Sequence, residues 1–207
     1  MKTPLNRLRL KQHLHYNWWK YLMVILACSL GVNLIYTMTE PKTPDSQKLE
    51  VYTYGYAESE EMTVLLERLR VEYFDADQKE YVATTIIADE TYGDMLLSTR
   101  IFSGEGDILI LPKANYQNYA SDGLFIPLED VAEITGTADR RGINLERSWR
   151  RNSSSGVRHL YGIPLQAFPS LTRYFPYGTD YYVSIRSSNG NDDNALKLFI
   201  LLLELEP

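Results

Sequence analysis

The chain has 207 residues, of which 44% are apolar and 23% charged, enough for one ordinary domain with a sizeable core and unlike a disordered or fibrous chain. Its single cysteine, Cys28, excludes an intrachain disulfide and a Cys-rich zinc cluster, and three histidines, His13, His15 and His159, leave little for a His-based metal or catalytic site. A net charge of −6 argues against a nucleic-acid binder.

That charge is divided unevenly. Residues 1–39 hold Lys2, Arg7, Arg9, Lys11 and Lys20 and no acidic residue, so the remainder carries 16 basic against 27 acidic side chains, a net of −11. Residues 21–39 contain no charge at all. At about 1.5 Å per residue they span roughly 28 Å, close to the hydrocarbon thickness of a bilayer. Tyr16, Trp18 and Trp19 stand at one end and Tyr36 at the other, where an aromatic belt belongs. The expected order is a basic cytoplasmic arm (1–17), a transmembrane helix (18–39), a linker (40–48) and a C-terminal domain (49–207). Positive charge before the span places the N-terminus in the cytoplasm and the domain outside the cell membrane.

Two other readings compete for the apolar segment. A cleaved signal peptide needs a small-x-small exit, which residues 32–38 do not offer. Ile25-Leu26-Ala27-Cys28-Ser29 partly resembles a lipoprotein signal, which would make Cys28 a lipidation site. Against it, Leu26 is large and the chain stays apolar for about ten residues beyond Cys28. An uncleaved helix with Cys28 as a small apolar residue is preferred. Leu5, Leu8 and Leu14 among the basic residues suit either a short helix on the inner leaflet or charges that merely set topology.

Pro41 and Pro44 mark the linker. Residues 49–54 read as a strand. Residues 58–74 read as a helix, with Met62, Leu65, Leu66, Leu69 and Tyr73 on one stripe and Glu58, Glu60 and Glu61 at its positive end. β-Branched residues make 81–88 a second strand, 89–102 reads as a weaker helix, and the apolar run 107–111 reads as a strand buried on both faces. This alternation implies an α/β fold with parallel pairing and right-handed crossovers. Residues 116–121 add a helical turn, and 135–158 show no period. Residues 160–165 and 181–185 restore order. Asn191, Asp192 and Asp193 cap a helix over 194–205 that is apolar nearly all round and too short to cross a bilayer, so it should pack into the domain.

Phe102-Ser103-Gly104-Glu105-Gly106-Asp107-Ile108-Leu109 and Tyr119-Ala120-Ser121-Asp122-Gly123-Leu124-Phe125-Ile126-Pro127-Leu128 resemble the first lobe of the extracellular solute-binding proteins of carbohydrate-type ABC importers. Gly106 stands where that family usually has Pro. Tyr161-Gly162-Ile163-Pro164 is similar to the family's crossover strand, and 181–203 to its closing segment. The resemblance implies a periplasmic-binding-protein-like lobe, mostly parallel sheet with flanking helices, a carbohydrate or cell-wall ligand, and an ABC permease or other membrane protein as partner. About fifteen residues separate Leu165 from Tyr181, where the family has a second lobe. A single lobe offers a face rather than a clamp.

Ligands of open α/β sheets sit beyond the carboxyl ends of the strands. That rule selects Tyr54, Tyr56 and Glu58, then Asp89 and Glu90, then Lys113 and Asn115, and finally Gln166 and Phe168. The alternative is that the tyrosines are ordinary strand-end aromatics and Glu58 a helix cap. Arg140, Arg141, Arg147, Arg150, Arg151 and Arg158, with Trp149 among them, either dock an acidic partner or phosphate-bearing polymer or form a solvated loop. Gly104-Glu105-Gly106 precedes a strand and is a turn rather than a phosphate-binding loop. No nucleophile–base pair or metal set emerges, so the chain reads as a non-enzyme without a cofactor. The leading expectation is a membrane-anchored binding module. The alternatives are an assembly subunit without a small-molecule ligand and a decayed importer component.

Overall fold

The computed structural model describes residues 7–39, 48–55, 57–74, 80–86, 92–176, 180–187 and 190–206. The chain divides into two compact units, one on either side of residue 42. The first unit contains a single unbroken helix, α1 (Arg7–Thr39). Its segment His15–Thr39 is long and apolar enough to cross a membrane, and none of the apolar window is buried within the protein. Trp18 and Trp19 meet edge to face at 5.8 Å at the start of that segment.

The second unit is built on a five-stranded sheet. Its strands are β1 (Lys48–Tyr54), β2 (Glu80–Ile86), β3 (Ile108–Pro112), β6 (Ile163–Pro164) and β7 (Tyr181–Ile185), in the order β2-β1-β3-β7-β6. β1 pairs in parallel with β2 and β3, whereas β7 runs antiparallel to both β3 and β6. Four of the five strands therefore point one way, as a mostly parallel α/β sheet requires, and β7 is a reversed member that the sequence did not announce. β4 (Trp149–Arg151) and β5 (Arg158–Leu160) form a separate antiparallel hairpin.

The alternation of strand side chains sorts the core into two chemistries. Leu49 and Val51 of β1, Ile108 and Ile110 of β3, and Val183 and Ile185 of β7 face one side, an aliphatic core. The helices α2 (Ser59–Tyr73), α5 (Ala132–Arg140), α6 (Pro169–Thr172) and α7 (Asp192–Glu204) supply its other half. Tyr52, Tyr54, Leu109, Leu111 and Tyr182 face the other side. There α3 (Gly93–Phe102) and α4 (Lys113–Ser121) bring Leu97, Ile101, Tyr116 and Ala120 to a core rich in aromatics. Met62, Leu65, Leu66 and Leu69 of α2 are buried at the spacing expected from the sequence, but Tyr73 at its end is exposed and leaves the stripe. In α7, Ala195, Leu198, Phe199, Leu202 and Leu203 are buried, as a helix packed into the domain requires.

The stretch 135–158 is more ordered than its sequence suggests. α5 carries Gly136 and two threonines, which weaken helix propensity, yet burial of Ile134, Thr137 and Ala138 overrides that. Beyond it, the side chain of Asn152 accepts hydrogen bonds from the backbone of Ser154 and Ser155 at 2.8 and 3.0 Å. This Asx turn folds Ser153-Ser154-Ser155-Gly156 into the hairpin tip.

Gly162 marks a close approach. A Cβ there would meet the Tyr116 ring at 2.8 Å and the Val183 carbonyl oxygen at 3.0 Å. The turn before β3 is held just as firmly. The Asp107 carboxylate accepts the Glu50 N–H at 2.6 Å, the Glu50 carboxylate accepts the Gly106 N–H at 3.0 Å, and Arg186 donates to the carbonyls of Gly104 and Gly106. The Gly104-Glu105-Gly106 segment is thus a structural turn at the edge where β3 enters the sheet.

Candidate functional site

β1, β2 and β3 end along one edge of the sheet, β6 runs the same way, and β7 enters there, with Tyr181 opposite Pro112 and Tyr182 opposite Leu111. α4 starts at this edge immediately after β3. The Lys113 N–H donates to the Asp180 carbonyl at 3.0 Å, and its ammonium stands 3.6 Å from the Asp180 carboxylate. Asn115 donates through Nδ2 to Asp94 Oδ1 at 3.0 Å, tying α4 to the first turn of α3. Gly55, at φ +119°, lies against the Tyr181 hydroxyl, and the Tyr181 ring meets Phe175 at 5.4 Å.

The residues selected from sequence divide into three groups. Lys113 and Asn115 are at this edge and partly exposed, and Glu58 and Gln166 are exposed just beyond strand ends. Tyr56, Asp89 and Glu90 lie outside the described residues. Phe168 is a correction: it is 0% exposed and packs edge to face on Phe199 at 5.1 Å, so it belongs to the aliphatic core. Tyr54 is only 6% exposed and sits in the aromatic core, which makes it an ordinary strand-end aromatic rather than a platform.

The arginines do not form one loop. Arg141 donates to the carbonyls of Ala167 and Leu203 at 2.8 and 2.7 Å and pairs with Glu206 at 3.0 Å, which makes it a brace for α7. Arg140 folds back onto Thr137 of its own helix. Arg158 lies over the Trp149 ring, and Trp149 packs against the aliphatic core. Arg151 is exposed on the hairpin. Arg150 points elsewhere. Its guanidinium carbon is 6.0 Å from the centre of the Tyr116 ring, which itself stacks on Tyr182 at 4.5 Å and 7°.

Burial pushes the Tyr182 hydroxyl above its usual range, and the Asp180 charge adds to this, while Arg150 and Arg147 pull it back. Burial likewise pushes up Tyr116, opposed by Arg150. Arg150 therefore neighbours Tyr116, whose ring stacks on Tyr182 where β7 enters this edge. Sequence reasoning missed Tyr182, Asp180, Asp94 and Tyr116. The alternation in 181–185 and the start of a helix at Lys113 were the available signals.

On the hairpin's flank, His159 Nδ1 hydrogen-bonds Glu129 Oε1 at 2.5 Å and the Leu160 N–H donates to Glu129 Oε2 at 3.0 Å. Burial alone would raise the Glu129 carboxyl, but the hydrogen bonds from His159 and Leu160 hold it below the usual carboxylate range. This carboxylate anchors the hairpin that carries Arg150. The edge as a whole offers ion pairing and hydrogen bonding. Among the described residues, no group of three or more His, Cys, Asp or Glu side chains is placed to hold a metal ion.

No family model and no curated protein matches the chain. Solved structures do. A family 1 extracellular solute-binding protein from Alicyclobacillus acidocaldarius is 19% identical over 59% of this chain and 29% of its own, with a TM-score of 0.38. A spermidine/putrescine ABC transporter substrate-binding protein from Streptococcus pneumoniae is 21% identical over 57% and 31%, with a TM-score of 0.36. An N-glycan transport solute-binding protein from the same species is 16% identical over 56% and 24%, also at 0.36. This chain thus spans under a third of the length of each structure it is similar to.

Proposed function

We propose that the chain is a membrane-anchored binding module whose extracytoplasmic domain corresponds to one lobe of a solute-binding protein. The observation that carries this reading is the sheet edge itself. Parallel strand ends, the start of α4, Lys113, Asn115 and the Tyr182 region converge there, where open α/β sheets bind ligands. The His15–Thr39 segment serves as an uncleaved anchor, with the basic residues before it held on the cytoplasmic side. One face exposed to solvent binds weakly, so the second wall comes from a partner, an ABC permease or another membrane protein. The ligand is carbohydrate-like.

The test is cross-linking in intact membranes followed by mass spectrometry, together with calorimetric titration of the full-length chain in detergent against oligosaccharides. A permease neighbour and measurable heat are expected. Wall-synthesis neighbours alone, or a C-terminal domain protected by the cytoplasm, would refute the reading.

One observation favours the assembly-subunit reading instead. On α3, Met95, Leu96 and Phe102 are exposed, Phe102 at 79%, and form an apolar strip on the solvent side. If contact with another protein is the whole role, Phe102→Ser and Met95→Ser abolish co-purification while Lys113→Ala leaves it intact.

A further inference from the structure

Residues 21–39 carry no charge, and Asn33 is the only side-chain amide among them. It lies about 4–5 Å along the helix axis from the middle of that stretch, at a depth where a bilayer offers no water to an N–H group. The threonines that follow find partners within α1. Thr37 Oγ1 donates to the Asn33 carbonyl at 2.9 Å, and Thr39 Oγ1 donates to the Ile35 carbonyl at 2.7 Å. The Asn33 side chain has no such recourse. Its Oδ1 has only Thr37 Oγ1, at 3.5 Å, and among the described residues nothing accepts from its two N–H donors. In lipid those donors are left to a second molecule.

Asn33 also sits in a pattern. Trp19, Leu22, Leu26, Ser29, Asn33 and Tyr36 are spaced alternately by three and four residues, so they line one seam of α1. All six are exposed. A seam of this period is the one through which helices pack in left-handed pairs, at about +20°. Ser29 is small enough to let two backbones approach one turn before Asn33, and the aromatic ends suit the two membrane interfaces. Two features make the occupant a second copy of this chain. Copies of one chain enter the membrane in the same orientation, so their Asn33 residues lie at the same depth. A primary amide both donates and accepts, so two of them across a twofold axis satisfy each other. A foreign helix would need its own acceptor at that depth.

We infer that two copies of the chain pair in the membrane through the Trp19–Tyr36 seam of α1, with the Asn33 amides hydrogen-bonded to each other across the helix pair. Pairing rests on the reading of His15–Thr39 as a membrane anchor and names one partner of that anchor. It also tethers two external domains together, raising the local concentration of a second lobe for the open face of the first.

The test is sedimentation equilibrium of the full-length chain in density-matched detergent, with oxidative cross-linking and alkaline carbonate extraction in intact membranes. The 23.9 kDa chain should sediment as a dimer. Asn33→Leu should weaken the dimer about tenfold, while Asn33→Gln, which keeps the amide, should retain most of it. Leucine is the better residue for a span, so the loss is not a failure to insert. Gly31→Leu, on the opposite side of α1 where an added Cβ meets nothing within 4 Å, should change nothing. With Cys28→Ser as background, Ser29→Cys and Tyr36→Cys should each cross-link to a second copy, whereas Cys28 in the parent chain, off the seam, should not. A monomer that stays in the membrane after carbonate extraction overturns the pairing and spares the anchor. Equal association of Asn33→Leu and parent, or disruption by Gly31→Leu instead, overturns the seam. A cross-linked product of another mass overturns the second copy as occupant. Release of the chain by carbonate overturns both the pairing and the anchor.

Discussion

Phe168 separates a core role from a ligand role more sharply than any other position. Its ring is fully buried and meets Phe199 edge to face at 5.1 Å, between the short α6 and the C-terminal α7. Truncating such a ring to alanine costs about 3–5 kcal/mol, of which the ring pair contributes roughly 0.5–1.5 kcal/mol. Against a total stability of about 5–15 kcal/mol for an ordinary domain, Phe168→Ala removes roughly a fifth or more. Urea unfolding of the full-length chain in detergent measures it through the fluorescence of Trp149, the one tryptophan outside α1. With a urea dependence of about 2 kcal/mol per molar, the midpoint should fall by roughly 2 M. A Phe199→Leu partner variant completes a double-mutant cycle that isolates the ring pair. If Phe168→Ala unfolds within about 1 kcal/mol of the parent while oligosaccharide binding disappears, Phe168 is a ligand platform and its assignment to the core is wrong.

The other predictions concern the braces around the edge. Arg141→Ala should destabilise the domain by about 2–3 kcal/mol, because two carbonyls lose a charged donor. Glu206→Ala should cost under about 1 kcal/mol, since that carboxylate is 78% exposed; amide hydrogen exchange in α7 reports both. The Glu129 carboxyl titrates lower in the folded chain than in the unfolded one. Its stabilising effect is therefore present above the unfolded value, near pH 4 to 5 (about 4.3 for a free Glu), and is lost as pH falls through the depressed folded value. Glu129→Gln should flatten the pH dependence of thermal unfolding in that acid window. An unchanged slope would show that the carboxylate does not hold the hairpin.

Much of the architecture was legible in the sequence because it rests on period. Leu49, Val51 and Tyr52 announce a strand, Met62, Leu65, Leu66 and Leu69 a helix, and the run Ile108-Leu109-Ile110-Leu111 a strand with a core on each side. α5 was hidden because Thr135, Gly136 and Thr137 give poor local propensity, and only contact with the aliphatic core makes the helix worth forming. The edge itself was legible through Lys113 and Asn115, which follow a well-marked strand. Tyr182 was not, since a buried strand tyrosine and a site tyrosine look alike until their neighbours are known.

The amino-acid sequence by itself determined the long apolar segment near the N-terminus, the alternation of strands and helices, and which residues have the polarity to line a strand end. Those follow from local periodicity and charge, which act along the chain. The tertiary structure decided that Phe168 and Tyr54 are buried, that Arg141 braces α7, and that Arg150 and Tyr182 both lie against Tyr116. Burial and ion pairing are properties of distances in space. Arg150 and Tyr182 both reach Tyr116 because an antiparallel strand is laid beside β3 and a hairpin is pinned over α4.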